Sequence, residues 1–101
     1  MAKKILVYWR DIPAQVIVQS GRKREKILLS SRFQKAIDRA AMRAGKGSSD
    51  AYLSEWRREP SAFELTGDLR GVAESEASQF ESEYSDERLL ALIRNHGSAG
   101  E

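Results

Sequence analysis

The stretch Ile5-Leu6-Val7-Tyr8-Trp9-Arg10-Asp11-Ile12-Pro13-Ala14-Gln15-Val16-Ile17-Val18 decides the fold class of this chain. Its first five residues are branched, aromatic or large and apolar, the composition of a strand, which is expected over about 3–9. Pro13 fixes its own φ and offers no N–H to a ladder, so Arg10-Asp11-Ile12-Pro13 ends the run. A second strand follows over about 14–20, with Val16 and Val18 on one face and Gln15, Ile17 and Gln19 on the other. The spacing between the two apolar runs suits an antiparallel hairpin. Gly21 then breaks the chain, and residues 25–29 read either as a third antiparallel strand or as a lead-in to the next helix.

Most of the chain after this region has helical periodicity. Ser30 or Ser31 is placed to cap a helix over 32–44, with Phe33, Ala36, Ile37, Ala40 and Ala44 on one stripe and Arg32, Lys35, Arg39 and Arg43 on the stripe beside it. Gly45 stands where the chain must turn left-handed after the helix, and Lys46-Gly47-Ser48-Ser49 reads as a connector. Asp50 can cap a short helix over 51–58, its face made by Tyr52, Leu53 and Trp56, with Pro60 as the stop. Residues 61–66 have no decided reading. A helix over 68–84 carries a narrow stripe of Val72, Ala73, Ala77, Phe80 and Tyr84 among acids. Ser85 caps the last helix, 86–96, whose core face is Leu89, Leu92 and Ile93. Residues 98–101 read as a frayed end. Strands first and helices after predict an α+β single domain: a small antiparallel sheet of two or three strands covered by about four helices.

The charge divides along the chain. Residues 1–58 hold 14 Lys/Arg against 5 acids, a net +9, and residues 59–101 hold 3 Arg against 10 acids, a net −7. Either the halves neutralise one another within the fold, or a basic surface awaits an acidic partner. The positive charge falls mainly on Arg22-Lys23-Arg24-Lys26 at the expected hairpin turn and on the 32–44 helix stripe.

Many chemistries drop out. With no cysteine there are no disulfides, no thiolate nucleophile and no Cys-ligated zinc or iron–sulfur site. The single histidine, His96, sits in the last turn of the last helix, where the helix dipole favours it; no nucleophile–base spacing accompanies it. Gly45-Lys46-Gly47-Ser48 is not a phosphate loop, because Ala40 stands where the first glycine is needed and a helix precedes it. No enzyme activity, cofactor or metal is expected. The apolar N-terminal run is too short for a signal peptide, and no segment is long enough to span a bilayer, so a cytoplasmic protein without membrane contact is expected.

The candidate contact residues are the loop Trp9, Arg10 and Asp11, the turn Arg22, Lys23 and Arg24, and the helix stripe Arg32, Lys35, Arg39 and Arg43. Each has a plainer reading. Trp9 can be packing, Asp11 can close an Asx-turn, and the cations can be a solvated face. No helix-turn-helix, zinc finger or aromatic RNA-binding motif accompanies the basic groups.

Residues 8–18 (Tyr-Trp-Arg-Asp-Ile-Pro-Ala-Gln-Val-Ile-Val), with Gly21-Arg22-Lys23-Arg24, Phe33 to Met42 and Asp50 to Arg58, resemble the small bacterial virulence-factor domain family. The resemblance covers roughly residues 5–58, the basic core; residues 59–101 look like the acidic helical extension of short stand-alone members. It implies a regulatory or accessory role. Related domains beside a NifU-like module and helical repeats imply protein interaction, and stand-alone members near folate and corrinoid one-carbon enzymes imply an accessory subunit there. A protein partner is therefore the leading expectation, and nucleic acid bound through the basic turn and helix is the alternative.

Overall fold

The structure, a computed structural model, describes residues 2–45, 48–65 and 67–98, without the side chain of Ser49. Lys46 and Gly47 of the expected connector, and the chain end past Ser98, lie outside these residues.

The opening stretch forms the expected hairpin: β1 (Ala2–Trp9) pairs antiparallel with β2 (Ile12–Ser20). A register shift between Val7 and Tyr8, where the partner residue passes from Gln15 to Pro13, takes up the proline. β3 (Lys23–Leu28) is the third strand and pairs with β2, so the strand reading of 25–29 holds with a start two residues earlier.

The sheet has a fourth strand where a helix was expected. Helix α2 is short (Ser49–Leu53), and Trp56–Phe63 runs as β4 antiparallel to β1, completing the order β3-β2-β1-β4. The three-residue spacing of Tyr52, Leu53 and Trp56 imitates a helix face, but the second edge of β1 offers a full ladder to residues 56–63. That pairing overrides local propensity. Pro60 lies opposite Ile5 on this strand, tolerated because β4 is an edge and needs donors on one side only.

Helices α1 (Ser31–Arg43), α3 (Leu69–Glu83) and α4 (Asp86–Arg94) lie within a residue or two of their expected bounds. Asp68 and Ser85 cap α3 and α4 by accepting from the N–H groups of Gly71 and Arg88. Ser30, in the cap position of α1, makes no cap bond; its hydroxyl goes to Glu81. α3 packs on β2 and β3, while α1 packs against α4 and the sheet end near β2. One core joins Trp9, Ile12, Val16 and Val18 of the sheet to Phe33 and Ile37 of α1, Ala73 of α3 and Leu92 of α4. Among the described residues, no helix is long and apolar enough to cross a membrane.

Candidate functional site

The β1–β2 loop is an internal clasp. Trp9 is fully buried: its indole stacks on Tyr52 with ring centres 6.0 Å apart, and Nε1 donates to the Tyr52 carbonyl at 2.9 Å. Arg10 takes a positive φ of 54° and donates through Nη1 to the His96 carbonyl at 2.8 Å, while Nε lies 3.3 Å from Glu55. The Asp11 N–H donates to the Gly97 carbonyl at 2.9 Å, and its carboxylate pairs with Arg57 at 3.2 Å. The three residues thus tie the hairpin end to the α2–β4 junction and to the chain after α4. His96 lies beyond α4 at a φ of 60° and contributes its carbonyl to this clasp.

Around the clasp, Arg57 lies 4.7 Å over the ring of Tyr8, whose edge meets Phe80. Burial, with the nearby Tyr84 and Glu59 charges, pushes the Tyr8 phenol up to about 12. Burial likewise raises Tyr84.

The helix stripe divides in two. Arg32 is engaged: Nη2 donates to the Glu81 carbonyl at 2.7 Å, Nη1 donates to the Tyr84 carbonyl at 2.6 Å, and Glu81 and Asp86 are ion partners at 3.2 Å. These carbonyls end α3, so the guanidinium sits where the helix dipole favours a cation. Although burial opposes it, the Ser30 N–H and hydroxyl and the Arg32 charge hold the Glu81 carboxyl below its ordinary value. Lys35, Arg39 and Arg43, one to three turns further along, have no ion partner among the described residues.

Acidic α3 therefore does not lie along the basic stripe. Among the described residues, Arg32 is the member of the stripe that bonds to α3. Two of its other acids serve elsewhere: Glu76 of α3 pairs with Lys4 of β1 at 3.2 Å, and Glu74 shares Arg70 with Glu25 of β3.

Lys35 and Arg39 border a groove between α1 and α4 that continues past Arg43 and Arg94. Its two adjoining recesses, about 450 and 310 Å³, share Arg39, Leu90 and Ile93. Met42 in its wall is 72% exposed and Leu90 39%. Sequence reasoning found the cations but not Met42, Leu90 and Arg94; the signal was the apolar pair falling off the core stripe of each helix.

The turn residues Arg22, Lys23 and Arg24 are exposed at the far end of the sheet, at and after the β2–β3 turn, away from the loop of Trp9, Arg10 and Asp11. No three His, Cys, Asp or Glu residues among those described converge on a metal-sized space.

No curated protein and no solved structure matches the chain. A family model does, running from the clasp strand through the groove and across both charge halves: over residues 7–93 the chain matches the model described as virulence factor, and it belongs to that family.

Proposed function

We propose that the chain is an accessory interaction domain without catalysis of its own, and that its α1–α4 groove receives an acidic protein segment with an apolar face. The supporting observation is the coincidence of exposed Met42 and Leu90 with Lys35, Arg39, Arg43 and Arg94, none paired among the described residues. Apolar centre and charged rim are the usual anatomy of a protein contact, the rim setting encounter rate and orientation. In the one-carbon setting implied by the family resemblance, the partner would be a folate- or corrinoid-handling enzyme. The test is co-purification of the tagged chain from its native cells at moderate salt, beside a Lys35→Glu/Arg39→Glu variant. A stoichiometric protein held by the wild type and lost by the variant is expected. Recovery of no stoichiometric protein, or equal recovery with both chains, would overturn the proposal.

A second reading, nucleic-acid binding, draws on the exposed Arg22, Lys23 and Arg24. It requires affinity for generic DNA or RNA that falls with salt at about one unit of log–log slope per phosphate contacted. Flat or absent binding removes it.

A further inference from the structure

The sheet has a second face, and its register shows what that face carries. One cross-strand row there runs Arg24, Gln19, Lys3, Ala62; the next is Lys26, Ile17, Ile5, Pro60; the third is Leu28, Gln15, Val7, Arg58. The alternate residues face the core side, where Lys4 reaches α3 and Val16 and Val18 join the main cluster. Val7 and Ile17 are buried, yet neither belongs to the cluster that the helices share.

The charges on these rows have one sign. Lys3, Arg24, Lys26 and Arg58 carry no partner among the described residues, and the two strand acids Glu25 and Glu59 stand in the alternate register, on the core side. Between the cations lie Ile5, exposed Pro60 and Leu28, the last 69% exposed. Beside Val7 and Arg58 a recess of about 520 Å³ opens, bordered also by Trp56 and Gln15. The Gln15 Oε1 is buried there without a hydrogen-bond partner among the described residues, an unmet acceptor at the recess wall.

We infer that this sheet face is a second docking surface, separate from the α1–α4 groove, and that its occupant is an acidic protein segment carrying aliphatic side chains. The rim cations favour a negative partner. The aliphatic centre fits protein side chains; single-stranded nucleic acid needs aromatic platforms, and among the described residues Trp56 alone borders the recess as an aromatic. A second copy docked face to face would oppose four cations with four. With two basic surfaces that share no residue, the domain can bridge two partners.

The test uses nitrogen-15-labelled protein and a soluble synthetic peptide in which leucines alternate with glutamates. Saturable shifts are expected at the amides of Ile5, Val7 and Ile17. Binding should weaken about tenfold in Lys26→Glu/Arg58→Glu and, as an independent rim pair, in Lys3→Glu/Arg24→Glu. Lys35→Glu/Arg39→Glu should leave these shifts in place, which separates this surface from the groove. The inference is overturned if the shifts are absent or confined to α1 and α4, or if polyglutamate without leucine binds equally well. Tighter binding of single-stranded DNA to the same residues, or sedimentation showing the face already occupied by a second copy, would also overturn it.

Discussion

Gly97 lies against the indole of Trp9 so closely that a β-carbon there would stand 2.9 Å from Cζ3 and 3.3 Å from Cε3 of the ring. Gly97 also holds a φ of 91°, its N–H donates to the Leu92 carbonyl at 2.6 Å, and its carbonyl accepts from Asp11. Gly97 thus continues the left-handed turn that His96 begins beyond α4 and closes the clasp over a fully buried aromatic ring. Both the conformation and the contact require glycine. Gly97→Ala should cost at least about 1–2 kcal/mol from backbone strain alone, because a β-carbon is poorly tolerated at positive φ. At about 4–8 °C of melting temperature per kcal/mol for a chain of this size, a thermal melt would read it clearly. Trp9 fluorescence should shift as well, and an unchanged melt would show that the clasp does not need Gly97.

The elevated Tyr8 phenol makes a pH prediction of defined sign. Its folded value, about 12, lies above the ordinary 10, so the fold favours the neutral phenol. The associated stability is present below pH 10 and is lost as pH rises from 10 through 12. Alkaline unfolding should therefore set in across that window, with part of the phenolate absorbance appearing only as the protein unfolds. In Tyr8→Phe this late component should shrink.

Glu81 gives the opposite sign at the acid end. Its folded value is lowered from 4.5, so its contribution is present above that pH and is lost as pH falls through the folded value. Ser30→Ala removes the hydroxyl bond of 2.9 Å but no helix cap, since Ser30 makes none. Carbon-13 titration of Glu81 should then move toward the ordinary carboxylate range. Ser85→Ala behaves differently: it deletes a true cap and should cost about 0.5–2 kcal/mol near neutral pH. Urea unfolding of the two variants at neutral and acid pH separates these roles.

The hairpin, α1, α3 and α4 were legible in the sequence because periodicity, the Ser85 cap of α4 and the left-handed glycine at Gly45 after α1 agree with the fold. β4 was not. Trp56-Arg57-Arg58 has no apolar alternation, and Pro60 speaks against a strand; only the unpaired edge of β1, a tertiary fact, recruits these residues. The same limit governs the contact residues. Trp9, Arg10 and Asp11 have the composition of a binding loop, yet their hydrogen bonds run to residues more than forty positions away, at Tyr52, Glu55 and Gly97. Neither the partition of the α1 stripe nor the one-signed sheet face could be read before the placement of α3 and β4 was known. The charge split located the cations; the packing decides which of them are free.

That partition gives the sharpest comparison within one helix. Arg32 and Arg39 are both arginines on the basic stripe of α1, two turns apart. Arg32 caps the last carbonyls of α3 with two bonds and meets two carboxylates, whereas Arg39 lines an open groove without an ion partner among the described residues. Hydrogen bonds to a charged group contribute about 1.5–3 kcal/mol, and solvent access at this half-buried site draws the expected loss for Arg32→Ala toward about 1–2 kcal/mol. Arg39→Ala should stay within about 0.5 kcal/mol of the parent, as surface changes away from such networks do. Urea titrations of the two variants decide the matter. A cost at Arg39 equal to that at Arg32 would mean the stripe is structural along its whole length, and the groove would lose its standing as a contact surface. A silent Arg39 beside a costly Arg32 leaves Arg39 as charge that folding does not use, and so free for a partner.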